Sequence, residues 1–279
     1  MNDAPLHLKA NAKVNLTLHV GKVLEAGMHP IESKMARVAF SDEIELTRLD
    51  SNAPSRYAIL WHEDAPIKTE IDWSITDDLA VQAHRLLELT VGHSLPIQLK
   101  LEKRIPVGGG LGGGSADAAA TFIGVSQLFN LDIDLNALAM TLGSDIPFLL
   151  QGDTCVVQGV GESAIPTEFE LLDLVLIFPP YSCSTEAVYR AFDTLKAEET
   201  HSSNNLITPA CLVEPRLAID MKALERITGQ KIHLSGSGST MFAICDNAEH
   251  ANELALKIKE QTELFALATQ TCQGPLEST

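Results

Sequence analysis

The chain has 279 residues, which is enough to bury a large core and to form two domains. Its formal net charge of −17 argues against nucleic-acid or anionic-membrane partners, and no apolar run reaches the roughly 18 residues that a transmembrane helix needs. Five cysteines without metal-type spacing, and no signal-peptide pattern, predict a cytoplasmic protein with reduced thiols. A monomer and a homodimer are both compatible with these features.

Alternating apolar and polar residues predict strands in the first half of the chain, with one clear helical pattern between them. The predicted elements are, in order, strands at residues 7–20, 33–40 and 43–49, a helix at 77–89 with Thr76 or Asp77 as its N-cap, and a strand at 97–101. This half therefore predicts a sheet with at least one helix ahead of the next feature, a glycine-rich segment.

That segment, PVGGGLGGGSADAAA, occupies residues 106–120. Six of the seven residues from Gly108 to Gly114 are glycine, which suits neither helix nor strand but allows positive φ and close contact with a ligand. The alanines that follow predict a helix to about residue 129, with Ser115 as its cap. A helix N-terminus presents unpaired N–H groups and the positive end of its dipole, so the segment predicts a nucleotide phosphate loop rather than a flexible linker.

The loop matches neither the Walker fingerprint, which needs Gly-Lys-Ser/Thr, nor the dinucleotide fingerprint with its acidic residue about twenty positions on. Basic residues precede and flank it, at Lys9, Lys13, Lys22, Lys34, Arg37, Lys100, Lys103 and Arg104. This clustering suits a polyphosphate ligand, and a solvated basic surface explains it equally well.

The second half predicts helices that alternate with strands. The predicted elements are helices at 135–142 and from Ser144 as N-cap, strands at 154–158 and 172–178, helices at 186–196 and 216–227, strands at 233–234 and 241–245, a helix at 248–260 and a strand at 264–269. The pattern changes after Gly152, which predicts an α+β protein of two domains. The first, residues 1–155, is an α/β nucleotide-binding domain, and the second, residues 156–279, is an antiparallel sheet backed by helices.

Four segments of the chain together resemble the motifs of the GHMP kinases. They are AKVNL at residues 12–16, PVGGGLGGG at 106–114, LGSDIPF at 142–148 and LSGSGST at 234–240. Each has a plainer reading: Lys13 could face solvent, Asp145 could be only a helix-start acid, and residues 236–238 could be a hairpin turn. Their order and spacing favour the family, and the resemblance covers residues 9 to about 245.

The resemblance implies the two-domain GHMP kinase fold and transfer of a phosphoryl group from ATP to a small alcohol. Lys13 then corresponds to the active-site lysine, Asp145 to the base that takes the acceptor's hydroxyl proton, and Asn15 to a polar neighbour of the acceptor. Nucleotide contacts are implied for Lys103, Pro106, Gly108, Gly109, Gly110, Leu111, Gly112, Gly113, Gly114 and Ser115. Mg²⁺ is expected with ATP, and Ser115 is its one candidate protein ligand, since there is no dedicated carboxylate cage.

The acceptor pocket is most similar to that of a cytidine-binding branch of the family, whose members place Tyr-His after the first motif. Here the pair is Met28-His29, and a second aromatic, Tyr189, follows Thr185. The third motif adds Gly236, Ser237 and Gly238 to the expected acceptor site, and Asp78 stands where an asparagine usually lies near adenine. The implied acceptor is a cytidine diphosphate-linked sugar alcohol. A different small alcohol, or a nucleotide-binding paralogue without catalysis, are the alternatives.

Overall fold

The computed structural model describes residues 4–25, 27–195 and 203–274. The strands in these ranges are β1 (Leu6–Asn15), β2 (His19–Val20), β3 (Ile31–Arg48), β4 (Arg56–Trp61), β5 (Ile97–Lys103), β6 (Cys155–Gly159), β7 (Ser163–Pro166), β8 (Asp173–Phe178), β9 (His233–Leu234), β10 (Met241–Cys245) and β11 (Phe265–Cys272). The helices are α1 (Leu79–Val91), α2 (Gly113–Phe129), α3 (Leu135–Leu142), α4 (Ile146–Gln151), α5 (Thr185–Thr194), α6 (Ile207–Val213), α7 (Pro215–Thr228) and α8 (Ala248–Gln261). A short 3-10 turn, Ile75–Asp77, precedes α1.

The strand β3 organises the sheet, which runs in the order β4-β5-β3-β11-β8-β10-β9. β3 also pairs with β1, β2 and β6, and among the described strands only β4 and β5 pair in parallel. Two strands were predicted where β3 is continuous over 18 residues, because Ser41-Asp42 does not form a turn. The irregularity lies instead in the pairing with β1, whose register shifts between Asn11 and Lys13.

Helices cover the sheet in both halves of the chain. α1 and α2 pack together, and α2 also packs on β1 and β3 around a core that includes Phe122 and Phe148. In the C-terminal half α8 packs on β8, β10 and β11, and α5 to α7 extend that layer. A third cluster joins residues of both halves, among them Val14, Val38 and Phe242. The predicted α+β class, with a C-terminal antiparallel sheet backed by helices, is confirmed.

The predicted domain boundary at residue 155 coincides with the first residue of β6. Because β6 pairs with β3 and β7 pairs with β6, strand pairing groups residues 155–166 with the N-terminal half. A division between two domains near residue 155 stays a prediction, and the pairing favours a position after Pro166.

Outside the glycine loop, two helix starts differ from the predicted ones. The N-cap of α1 is Asp78, whose carboxylate accepts a hydrogen bond from the Ala80 N–H at 2.9 Å. The carboxylate of Asp78 can reach that N–H, whereas Thr76 and Asp77 belong to the preceding 3-10 turn. In α4 the N-cap position is Asp145 rather than Ser144, and Asp145 makes no side-chain capping bond. The carboxylate of Asp145 is therefore available to bind groups other than the helix N-terminus.

The predicted C-terminal elements are present in the predicted order with ends shifted by a few residues, and the structure adds β7 and α6, which were not predicted. The helix predicted over residues 186–196 is α5, which ends at Thr194, and residue 196 lies outside the described ranges. Over the part of the chain that the structure describes, no helix combines the length and the apolar character required to cross a lipid bilayer.

Candidate active site

The glycine loop between β5 and α2 uses glycine's conformational freedom at alternate positions. Gly108, Gly110 and Gly112 have φ of 71°, 77° and 67°, values that side chains with a Cβ rarely adopt. A Cβ on Gly110 would also lie 2.1 Å from the carbonyl oxygen of Ser235. Glycine is therefore required at position 110 both by the backbone conformation and by the approach of another chain segment.

The loop ends at the N-terminus of α2, where the N-cap is Gly112 and no side chain caps the helix. Ser115 was predicted as this cap, but it is the third residue of the helix. Its hydroxyl is therefore in the first turn, facing the cleft that the loop lines. The N–H groups of Gly113, Gly114 and Ser115 lie in the first turn and have no carbonyl acceptor within the helix. Together with the helix dipole they form an anion site.

Carbonyl groups of the loop are bound by the other motifs. The backbone N–H of Lys13 donates to the Leu111 carbonyl at 2.9 Å, in the region where β1 loses register with β3. The Ser235 hydroxyl donates to the Gly110 carbonyl at 2.9 Å, and the Thr240 N–H donates to the Gly109 carbonyl at 3.1 Å. The first and third motifs therefore hold successive residues of the glycine loop.

Lys103 was predicted to contact the nucleotide, but its ammonium group lies between two buried carboxylates. Its Nζ is 3.1 Å from Asp42 Oδ2 and also binds Asp117 Oδ2, and both aspartate side chains are fully buried. Burial lowers the pKa of Lys103, but the Asp117 and Asp42 carboxylates outweigh it and raise that pKa above its ordinary value. Lys103 lines the cleft, yet its charge is compensated by protein.

The two aspartates of this cluster connect β3, β5 and α2. Asp42 accepts hydrogen bonds from the backbone N–H groups of Arg104 and Ile105, which lead into the glycine loop. Asp117 is in the second turn of α2, and its Oδ1 has no hydrogen-bond partner among the described residues. Burial raises the pKa of Asp117 well above its usual range, and the Lys103 ammonium opposes that rise. The cluster thus supports the loop from beneath.

Opposite the loop, Lys13 and Asp145 form the pair that the motifs implied. The Lys13 Nζ is 3.6 Å from Asp145 Oδ2, with the lysine side chain 6% exposed and the aspartate side chain 26% exposed. The two groups form an ion pair, and the partial exposure of the aspartate lets its carboxylate contact a ligand. The position suits a general base, which must lie within hydrogen-bond reach of the hydroxyl it deprotonates.

Asn15, predicted to neighbour the acceptor, lines the cleft but is engaged with protein at both ends of its amide. Its Oδ1 accepts from Lys13 Nζ at 2.7 Å, and its Nδ2 donates to Ser33 Oγ at 2.8 Å. The glycine turn of the third motif packs against this pair, since a Cβ on Gly236 would lie 3.3 Å from Asn15 Oδ1.

Four of the five predicted acceptor residues of the C-terminal half line the same cleft, and Gly238 does not. Thr185 and Ser237 hydroxyls are 2.9 Å apart, and Tyr189 lies close enough to Asp145 to be affected by its charge. Burial, with a smaller contribution from that carboxylate, raises the pKa of Tyr189 to about 12, so the phenol is neutral at physiological pH. Gly238 has a φ of 85° and completes the turn.

His29 lies beside this group, and Met28 does not. The His29 ring centroid is 5.1 Å from that of Tyr189, and His29 Nε2 is 2.8 Å from Asp193 Oδ1. The Met28 side chain is 52% exposed and is not part of the cleft lining, so it does not fill a core gap. Contact between Met28 and a nucleobase stays a prediction.

Together these groups surround one cleft of about 470 Å³. The cleft brings together Lys13, Asn15, Lys103, Pro106, Gly108, Gly109, Gly110, Leu111, Gly112, Gly113, Gly114, Ser115, Asp145, Thr185, Tyr189, Gly236 and Ser237. In the described ranges no group of three or more His, Cys, Asp or Glu side chains could hold a metal ion. The Ser115 hydroxyl, in the first turn of α2, is an oxygen donor that lines the cleft.

Several residues of the site carried no recognisable signal in the sequence. Trp73 lines the cleft and its indole N–H donates to Asp78 Oδ2 at 3.3 Å, although residues 50–70 and those just after them showed little pattern. Asn204 is buried and donates from Nδ2 to the carbonyls of Leu234 and Gly236, each at 2.9 Å. Such residues act through contacts between segments distant in sequence, which no local pattern encodes.

A family model described as the GHMP kinases N terminal domain matches residues 78–153, the stretch from the cap of α1 through the glycine loop to the end of α4. The fold, the anion site at the start of α2 and the Lys13–Asp145 pair in the same cleft are those of a small-molecule kinase of the GHMP class.

Relatives that align with most of the chain indicate one family within this class. The 4-diphosphocytidyl-2-C-methyl-D-erythritol kinase of Polynucleobacter asymbioticus is 32% identical over 257 residues, covering 86% of this chain and 84% of that protein. Its namesake from Thermus thermophilus is 32% identical over 263 residues, covering 88% and 90%. The crystal structure of a 4-(cytidine 5'-diphospho)-2C-methyl-D-erythritol kinase matches with a TM-score of 0.80 and 29% identity, over 96% of this chain and 100% of the other. The chain belongs to the 4-diphosphocytidyl-2-C-methyl-D-erythritol kinase family.

Proposed function

We propose that this chain transfers the γ-phosphoryl group of ATP to a hydroxyl of 4-diphosphocytidyl-2-C-methyl-D-erythritol, a step of non-mevalonate isoprenoid biosynthesis. The observation that carries the proposal is the position of the Lys13–Asp145 pair, which shares one cleft with the glycine loop and with Tyr189 and Thr185. A binding-only paralogue would need neither the lysine nor the aspartate.

The phosphate end of the cleft supplies charge compensation. Phosphoryl transfer demands positioning and neutralisation of oxygen charge more than covalent chemistry from the protein. The free N–H groups of Gly113, Gly114 and Ser115 are donors for the phosphate oxygens of ATP, reinforced by the dipole of the 17-residue helix α2. Mg²⁺ bound with ATP would neutralise phosphate charge, and the Ser115 hydroxyl would be its protein contact.

The acceptor end supplies the proton transfer. The hydroxyl oxygen of the acceptor attacks the γ-phosphorus, its proton passes to Asp145 Oδ2, and the bond from the γ-phosphorus to the β–γ bridging oxygen breaks to release ADP. Lys13, 3.6 Å from Asp145, pairs with that carboxylate and offers positive charge near the transferred group. His29 and Tyr189, whose rings are 5.1 Å apart, are the proposed contacts of the cytosine.

The proposal is tested by coupled measurement of ADP release with ATP, Mg²⁺ and 4-diphosphocytidyl-2-C-methyl-D-erythritol. Asp145→Asn is expected to lower kcat by about 10²- to 10⁴-fold, the usual cost of losing a general base, while calorimetry finds ATP binding unchanged. Asp132→Asn, in the exposed loop after α2, is the matched control and should retain kcat.

Other outcomes separate the alternatives. Turnover of a different alcohol, with none of the cytidine compound, would favour another acceptor; ATP binding without turnover of any acceptor would favour the paralogue. Wild-type kcat in Asp145→Asn would remove the aspartate from the reaction. We propose a cytoplasmic setting, which fractionation tests, and a monomer or homodimer, which light scattering distinguishes.

A further inference from the structure

Behind Lys13 a chain of buried hydrogen bonds runs from the cleft into the sheet. Lys13 Nζ is 2.7 Å from Asn15 Oδ1, Asn15 Nδ2 is 2.8 Å from Ser33 Oγ, and Ser33 Oγ is 2.6 Å from the carbonyl oxygen of Thr17. Lys13, Asn15 and Ser33 are 5%, 3% and 0% exposed, so water does not compete for these contacts. Ser33 is on β3, opposite Val157 of β6, and does not line the cleft itself.

The Thr17 carbonyl at the end of this series of hydrogen bonds determines which atom donates and which accepts in each of them. A backbone carbonyl only accepts, so the Ser33 hydroxyl must donate to Thr17. The Ser33 oxygen is then left as an acceptor, which turns the amide of Asn15 so that its NH₂ faces Ser33. The amide oxygen consequently faces Lys13 and accepts from the ammonium.

The same chain limits where the Lys13 ammonium can be. It donates a hydrogen bond to Asn15 Oδ1 at 2.7 Å and forms an ion pair with Asp145 Oδ2 at 3.6 Å. If the amide of Asn15 were reversed, its NH₂ would face the ammonium, and the two donors would repel each other. The lysine would then lose its shorter contact and move within the cleft.

We infer that Ser33 is a positioning residue for the phosphoryl-transfer step, which fixes the Lys13 ammonium beside Asp145 by setting the orientation of the Asn15 amide. The inference rests on the proposed kinase function. Ser33 acts only through Asn15 and touches neither substrate. It controls geometry at the reacting end of the cleft and leaves the phosphate loop alone.

Ser33→Ala is the direct test. Removing the hydroxyl leaves the buried Asn15 NH₂ without its acceptor, so the amide that binds Lys13 is no longer held from behind. Displacement of a catalytic group by about 1 Å can cost roughly 10²-fold. We expect kcat to fall by about 10- to 100-fold, while the KM for ATP changes less than about twofold. Ser41→Ala replaces another buried serine of β3 and should retain kcat. Wild-type kcat in Ser33→Ala, or an equal loss in Ser41→Ala, would overturn the inference.

A double-mutant cycle separates positioning from general support of the sheet. If Ser33 acts through Asn15, then Ser33→Ala adds little to the loss already present in Asn15→Ala, because contacting residues in one network are non-additive. The full loss in the Asn15→Ala background would contradict the inference. Should Ser33→Ala melt too readily, Ser33→Thr keeps a hydroxyl and should keep kcat, whereas the weakly donating thiol of Ser33→Cys should not. Equal kcat in those two variants would count against the hydroxyl.

A measurement without turnover keeps this inference apart from the proposed function. The side-chain amide signals of Asn15 in an NMR spectrum, assigned by their loss in Asn15→Ala, should shift in Ser33→Ala and stay in place in Ser41→Ala. Absence of wild-type turnover with every acceptor would remove the proposed function. Unshifted Asn15 signals in Ser33→Ala would remove the hydrogen-bond chain whatever the acceptor.

Discussion

The buried cluster of Lys103, Asp42 and Asp117 allows a prediction about stability and pH. In Lys103→Met the apolar side chain fills the space of the lysine but removes its charge from between two fully buried carboxylates. Asp42 keeps the backbone N–H groups of Arg104 and Ile105 as donors. Asp117 keeps no described partner for either carboxylate oxygen, since Oδ1 had none and Oδ2 was bound to Lys103.

The size of the effect follows from this asymmetry. Removing one partner of a buried ion pair costs about 3–5 kcal/mol, because the remaining charge is left uncompensated. For a chain of this size such a loss corresponds to a fall in Tm on the order of 10 °C at neutral pH. Lys100→Met is the matched control: Lys100 is on the same strand, its side chain is 38% exposed, and the side chain of its partner Glu102 is 31% exposed. Its Tm should stay close to that of the wild type.

The sign of the pH dependence is also fixed. Burial raises the pKa of Asp117 in the folded protein above the unfolded value of about 3.9, so the group favours folding below that pH and stops doing so as pH rises through the folded pKa. Losing the Lys103 ammonium raises the folded pKa further. The loss of stability in Lys103→Met relative to the wild type is therefore smallest at acidic pH and grows as pH increases.

Thermal melts of wild type, Lys103→Met and Lys100→Met between pH 5 and pH 8 provide the assay. If the difference in Tm between Lys103→Met and the wild type were the same at pH 5 and pH 8, the Asp117 carboxylate would not take up a proton in the variant. A Tm for Lys103→Met equal to that of Lys100→Met would refute the cluster as a stabilising element.

The remaining predictions concern the two ends of the cleft. Gly110→Ala should weaken ATP binding and lower Tm, because its Cβ would lie 2.1 Å from the Ser235 carbonyl oxygen. Gly27→Ala is also at positive φ but has open space around it, so it controls for backbone strain. Equal losses of ATP affinity and Tm in both variants would refute the clash. Tyr189→Ala should raise the KM for the acceptor and leave that for ATP unchanged. Met28→Tyr, at an exposed position, should tighten acceptor binding by up to about tenfold, equivalent to roughly 1.4 kcal/mol, with little change in Tm. If neither Tyr189→Ala nor Met28→Tyr changes acceptor affinity, the cytosine does not bind at these residues.

The sequence predicted the parts of the site that are encoded locally. The run of glycines before alanines indicated a loop and a helix start, and the structure has α2 begin at Gly113. Alternation predicted one strand over residues 7–20, where the structure has β1 and then the short β2, and spacing identified α3 with its observed ends, Leu135–Leu142. These features depend on backbone propensity and on burial of one face, which a short window of sequence contains.

Features that depend on contacts between distant segments could not be predicted. The charge of Lys103 suggested a phosphate ligand, and only the fold brings Asp42 and Asp117 to its ammonium. Ser33 was part of a predicted strand with no assigned role, because its hydrogen bond to Asn15 requires the pairing of β1 with β3. A residue's partner across a sheet is set by register, and register was not available from the pattern alone.

The pairing of β3 with β11 has a consequence for the order of events during synthesis. It joins Val38 to Thr271 and Arg37 to Cys272, positions more than 200 residues apart in the sequence. Closing a loop of that length is entropically costly, and contacts at such separation slow folding. The pairing of β3 with β5 and the packing of α1 against α2 link much nearer segments. As the chain leaves the ribosome, the glycine loop can therefore form against α2 with the Leu111 carbonyl already bound by Lys13. The Ser235 and Thr240 groups that bind the Gly110 and Gly109 carbonyls are made only later.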